Sequence, residues 1–178
     1  MIKDLLILTI FPAAMALAAV TDLFTLTVPN RLVLALVVLF ILAAPLAGLG
    51  LHDIGIHVAL ALAALGLGFA LFSLGLVGDG DAKLFAASCL WLGPEAIVPF
   101  AVYAALIGGA LALLLLFWRS LPLPAALASQ GWLVRLHSPE QGVPYGIALA
   151  AAGLMAYPAT RSWPRSAAES AFAPRHKA

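Results

Sequence analysis

Charge is what this chain has least of. Only 10% of its 178 residues are Asp, Glu, Lys or Arg, against 64% hydrophobic. A water-soluble domain needs roughly a quarter of its residues charged to cover its surface, so an ordinary soluble fold is excluded. With a formal net charge of +1, the chain has no basic stripe to neutralise phosphates, and nucleic acid is not an expected partner. Cysteine is nearly missing as well. Cys89 alone excludes an intrachain disulfide and a cysteine-based zinc cluster, and its apolar surroundings mark it as packing. The length leaves room for one compact bundle and no second domain of comparable size.

What the chain does have is long apolar runs punctuated by single charges. Residues 5–21, 32–51, 54–78 and 96–118 carry no charge. Each is about the length needed to cross a hydrocarbon layer of roughly 30 Å at 1.5 Å per residue. Two weaker segments join them. Residues 84–94 nearly cross if counted from Asp79, and 141–160 is apolar with Pro144 and Gly146 at its start, where a first helical turn tolerates them. The pattern predicts an all-α, polytopic membrane helix bundle of about six transmembrane helices over residues 1–160. The polar stretch 161–178, with Pro164 and Pro174, is expected to be a disordered tail. Residues 119–142 form the one substantial extramembrane loop, and Ala125 to Leu136 is expected as an amphipathic helix on the bilayer surface. Lys3, the first apolar run and Ala16-Leu17-Ala18 imitate a cleavable signal peptide. Asp4, the length of the run and the further apolar runs after it argue instead for a retained helix.

Charge alone does not orient the bundle. Arg31, Lys83, Arg119 and Arg135 fall on one side, and Lys3, Arg161, Arg165, Arg175 and Lys177 on the other. The short internal loops favour the first side as cytoplasmic, whereas the tail opposes it. Parity is independent of orientation. Asp22 closes the first helix, Asp79 and Asp81 stand between the third and fourth, and two crossings separate them. All three acids therefore return to one membrane face.

Ionised aspartates at membrane depth cost on the order of 2.5–3.5 kcal/mol each even on insertion-based scales. Two carboxylates brought within a few ångströms in a low dielectric cannot both ionise, and they share one proton. Such a pair supplies a base to deprotonate water and an acid to protonate a leaving amide nitrogen, the two roles of peptide hydrolysis. Gly75, Gly78 and Gly80 leave the backbone around the second acid free of bulk. Lys83 can anchor the site at the interface or tune its carboxylates, and Val28-Pro29-Asn30 breaks the chain before the second helix with Asn30 as an expected helix cap. Taken singly, Asp22 reads as a helix-end acid facing headgroup water, Asp81 as a cap or first-turn acid, Asp79 as a solvated loop acid and Lys83 as a topological anchor.

Three segments together change that reading for Asp22 and Asp81. Gly78-Asp79-Gly80-Asp81-Ala82-Lys83-Leu84 resembles the GxGDxK(L) signature of type IV prepilin peptidases. Asp22 followed by Thr27-Val28-Pro29-Asn30 resembles their first-aspartate segment, and Val143-Pro144-Tyr145-Gly146 their PYG-type motif at the last helix. They occur in family order and span most of the chain. The resemblance implies that Asp22 and Asp81 are the catalytic pair of an aspartic endopeptidase. It further implies removal of the basic leader from prepilins or pseudopilins on the cytoplasmic face of the bacterial inner membrane, with no cofactor and no metal. Asp79 falls at the variable position, so it is expected only to support the site with Gly78, Gly80, Lys83, Pro29 and Asn30. Pro144, Tyr145 and Gly146 are expected as substrate or packing contacts. Two departures stand out. Leu23 to Thr27 lacks the basic residue that many relatives carry, and the paired CxxC motifs associated with N-methylation in the long form are missing. The chain thus resembles the short, peptidase-only form that accompanies Flp pili, and methyl transfer is not expected.

Other features read as structure. His52 and His57 are five apart, which is wrong for a same-face helical metal pair, and by parity they and Asp53 lie on the face opposite Asp22 and Asp81. Trp91, Trp118, Trp132 and Trp163 read as interfacial belt residues, and Gly66, Gly68, Gly108 and Gly109 as helix-packing positions. Two competing classes remain. A small proton-coupled transporter would place its acids near the midplane on broken helices, usually within an internal repeat. A non-catalytic scaffold for pilus assembly would tolerate loss of either aspartate.

Overall fold

The computed structural model describes residues 2–124 and 127–160, with side chains from Leu8 onward. Among the described residues the fold is all helical. It comprises α1 (Ile2–Thr25), α2 (Asn30–Leu46), α3 (Leu51–Ser73), α4 (Asp79–Arg119), α5 (Gly131–His137), α6 (Tyr145–Ala156) and a closing 3-10 turn, Tyr157–Ala159. Three of these helices are long and apolar enough to cross a membrane, and two shorter ones are also apolar. In lipid every backbone polar group must be paired within the chain, and a helix does so segment by segment. Large apolar side chains point outward, among them Leu62 at 63% and Phe69 at 67% exposure. That outer surface suits acyl chains as solvent rather than water. The expected polar tail and residues 125–126 lie outside the described residues.

The 41-residue α4 is two helical arms joined at a break. At Gly93 the backbone adopts φ 69°, ψ −176°, a conformation that belongs almost only to glycine. Pro94 follows and disfavours a helical residue before it. Phe85 and Phe100 then stack with ring centroids 5.1 Å apart, although in an unbroken helix they would stand about 22 Å apart along the axis. The helix therefore doubles back, and its two arms are the expected segments 84–94 and 96–118. A Cβ on residue 93 would sit 2.6 Å from Cε1 of His57, a side chain 1% exposed and held through Nδ1 to the Leu90 carbonyl at 2.7 Å. Gly93→Ala is expected to destabilise the fold by at least about 2 kcal/mol, combining backbone strain with the clash. Thermal unfolding in detergent micelles would show it; an unchanged midpoint would contradict the hairpin.

Around α4 the other helices assemble. It packs against α3, α6 and α2, while α6 also packs on α1. The core gathers Phe11, Met15 and Ala18 of α1, Leu36 and Phe40 of α2, and Trp91 of α4, all fully buried. Trp91 lies beside Phe11 and Phe40 at 6.0 and 5.9 Å, and its indole N–H donates to the Leu36 carbonyl at 2.9 Å. It is a core residue and not a belt anchor. Small residues let α6 run through the middle: Ala148, Ala150, Ala152, Gly153 and Ala156 are buried around its circumference.

Helix limits depart from the charge-free runs in an understandable way. α2 and α3 end at Leu46 and Ser73 rather than at residues 51 and 78 because Gly48 (φ 87°) and Gly75 (φ 70°) close them. The Leu49 and Leu76 N–H groups bond back to the Ala44 and Leu71 carbonyls, each at 3.0 Å, as glycine-terminated helices do. Apolarity extends the run, but the left-handed glycine ends the helix. Among the described residues, the expected surface helix over 125–136 is realised as α5, with a turn at 127–129 before it.

Candidate active site

Asp22 lies in the last turn of α1 and is 3% exposed. Its Oδ2 accepts the backbone N–H of Gly146 at 2.7 Å. Gly146 is the second residue of α6, and the first N–H groups of a helix have no partner inside it. Asp22 thus caps a helix 124 residues further along the chain, placing a carboxylate where the helix dipole favours negative charge. The contact requires glycine, because a Cβ on residue 146 would stand 2.7 Å from Oδ2 and 3.0 Å from Cγ of Asp22. The bland reading of Asp22 as a headgroup-facing acid is excluded by its burial.

Asp81 is the third residue of α4, in the turn that opens after the extended Gly78. It is half-buried and close enough to Asp22 for the two charges to repel. Its Oδ2 also fills the space a side chain on residue 78 would need, 2.9 Å from the Cβ position. The two acids named from the sequence therefore stand at the same end of the bundle, within electrostatic range of each other. His57, by contrast, packs beside Gly93 at the far tip of the α4 hairpin, and among the described residues no cluster of three His, Cys, Asp or Glu side chains could hold a metal ion.

The remaining motif residues divide into two sets. Lys83 donates to Asp79 Oδ2 at 2.7 Å and to Asn30 Oδ1 at 3.2 Å. It ties the first turn of α4 to the start of α2. The Asp79–Lys83 pair is partly exposed, at 34% for Lys83 and 56% for Asp79, and contributes at most a few tenths of a kcal/mol, roughly 0.3–0.5. Asn30 is not the cap of α2, contrary to expectation: Pro29 holds that position without a side-chain bond, and the Asn30 amide faces Lys83 instead. Gly80 meets Val28 closely, with 3.2 Å from its Cβ position to the Val28 nitrogen and Cβ, so the Val28-Pro29-Asn30 break packs directly on the turn that carries Asp81. Pro144 is buried at the cap of α6. The Tyr145 hydroxyl donates to the Ala104 carbonyl at 2.9 Å and its ring covers Gly108.

Sequence reasoning missed the loop contacts. Along the chain Arg119 and Arg135 read only as topological charges. In the structure Arg135 donates to the Phe24 carbonyl at 2.8 Å, and Trp132 sets its edge on Phe24 at 5.3 Å, docking α5 on the end of α1 beside Asp22. Arg119 binds three carbonyls of the segment that leads into α6. No sequence signal marks these roles, since their partners are backbone oxygens.

No curated protein and no solved structure matches the chain significantly. The model of the type IV leader peptidase family does match, over residues 9–113. That stretch holds Asp22, Pro29, Asn30 and Gly78 through Lys83, and ends before Pro144. With the match extending over more than half of its length, this chain belongs to the type IV leader peptidase family.

Proposed function

We propose that this protein is an intramembrane aspartic endopeptidase that removes the basic leader from type IV, Flp-type prepilins or pseudopilins. It works at the cytoplasmic face of the bacterial inner membrane, with Asp22 and Asp81 as the catalytic pair. What supports this reading is that two carboxylates 59 residues apart along the chain stand within electrostatic range of each other at one end of an apolar bundle, one of them buried and held by a helix N-terminus. One carboxylate takes a proton from water as the water oxygen bonds to the scissile carbonyl carbon, and the other gives its proton to the amide nitrogen as the C–N bond breaks. The proton gained from water then crosses to the second carboxylate, which restores the starting state for another turnover.

The Gly146 N–H stabilises a negative charge on Asp22, so Asp22 serves as the charged partner and Asp81 as the proton-bearing one. The acids sit in terminal turns of α1 and α4 rather than at mid-helix breaks, which argues against the transporter reading.

The direct test is to incubate the purified protein in lipid nanodiscs with a candidate prepilin and map the product ends by mass spectrometry. Cleavage at the boundary between basic leader and apolar helix supports the proposal; no cleavage of any pilin encoded beside the protein overturns it. A pH series adds a second check. Hydrolysis needs one proton on the pair, so kcat/KM is expected to fall at alkaline pH as the pair loses that proton and at acid pH as it gains a second. A flat profile across the range in which the protein stays folded would remove the shared proton from the mechanism.

A further inference from the structure

We propose that Arg119 is a positioning residue for this site: its guanidinium holds the segment 136–142 so that α6 presents the Gly146 N–H to Asp22. The inference rests on the aspartate-pair reading above. Arg119 is the last residue of α4, and three of its nitrogens bind three different carbonyls. Nε donates to Leu136 at 2.9 Å, Nη1 to Gln141 at 3.0 Å and Nη2 to Gly142 at 3.0 Å. A planar fork with fixed donor directions sets the relative position of three peptide groups at once, which a flexible ammonium cannot do.

The segment so held leads straight into the site. Only Val143, Pro144 and Tyr145 separate Gly142 from Gly146, and Pro144, the cap of α6, has its φ fixed by its ring at −69°. Tyr145 fastens the same helix start to the second arm of α4 through the Ala104 carbonyl. The opening of α6 is therefore gripped by that arm at two points, Ala104 and Arg119, and its freed N–H is delivered to a buried carboxylate at 2.7 Å. A displacement of about 1 Å at a reacting group can lower a rate on the order of 10²-fold.

The competing explanation is general: a cation at a helix C-terminus complements the dipole and anchors the helix at the interface. Lysine fulfils that role equally well, so Arg119→Lys separates the two. The positioning role predicts that this variant loses about 10- to 100-fold in kcat, with KM within about 3-fold of the unaltered enzyme because substrate binding is not what the fork supports. Arg119→Ala is expected to lose more and to regain part of its rate when guanidinium ion is added at millimolar concentration, while ammonium restores nothing. Rates are taken per mole of monodisperse protein in nanodiscs, so lower yield does not imitate the effect. A lysine variant with unaltered kcat overturns the proposal, as does an alanine variant that guanidinium does not rescue. Failure here is distinct from failure of the aspartate-pair reading, which Asp22→Asn decides alone.

Discussion

Asp81→Asn is expected to lower leader removal by about 10³-fold or more, with the protein accumulating at its normal level. Asparagine matches aspartate in shape, so the packing of the first turn of α4 is preserved and only the ability to carry a proton is lost. Asp22→Asn is expected to behave alike. Its amide oxygen still accepts the Gly146 N–H that holds α6 in place, so loss of rate in that variant reports chemistry and not collapse of the fold. Because the two acids act as one unit, the double variant is expected to be little worse than either single one. The measurement is cleavage of a co-expressed prepilin, followed on a gel with the membrane content of the enzyme quantified alongside. Processing at the normal rate by either single variant would end the catalytic-pair assignment and return the transporter and scaffold readings to consideration. Loss in both, at normal protein levels, removes those two readings.

Gly146→Ala carries the second large effect. The added methyl would stand 2.7 Å from Oδ2, 3.0 Å from Cγ and 3.1 Å from Cβ of Asp22. Contact reaches the whole acidic side chain and not only its tip, so rotating the carboxyl does not relieve it; α1 and α6 must separate. A fall of about 10²-fold in kcat follows if the carboxyl moves by about 1 Å, together with roughly 1–3 kcal/mol of lost stability from overpacking. Gly109→Ala is the matched control. It lies within α4 with nothing within 4 Å of its Cβ position, and there alanine favours the helix by about 0.8–1 kcal/mol. The pair is compared by initial rate and by thermal unfolding in the same lipid. Normal activity of Gly146→Ala would mean that the Asp22 position tolerates displacement, and the capping contact would lose its role in the site.

Much of the fold is legible along the chain because its causes are local. Runs without charge mark apolar helices, and the isolated charges between them mark ends. The doubling of α4 is legible as two segments around Glu95, although nothing in the apolar pattern identifies Gly93 as the turning residue rather than Gly80 or Gly108. Only Gly93 combines a left-handed backbone with a proline after it and His57 packed against it. Trp91 shows the opposite limit. Tryptophan near a helix end suggests an interfacial belt, yet this one is buried against Phe11 and Phe40 with its N–H satisfied by a carbonyl of α2. Asn30 and Lys83 show another. Each has a reasonable local role, as cap and as anchor, but each finds the other across 53 residues.

From the sequence alone came the membrane bundle, the common face of Asp22, Asp79 and Asp81, and the resemblance that singles out the first and last of these. Composition, spacing and the count of crossings are properties of the chain itself, and they suffice for that. Tertiary structure decided which acid is buried and what holds it. A helix N-terminus leaves N–H groups without partners wherever it falls, and only the packing of α6 between α1 and α4 aims one of them at Asp22. Tertiary structure likewise set Asp79 against Lys83, and it gave Arg119 three backbone oxygens to bind. Those partners are peptide groups that every residue type carries alike, so no pattern of side chains could have announced them.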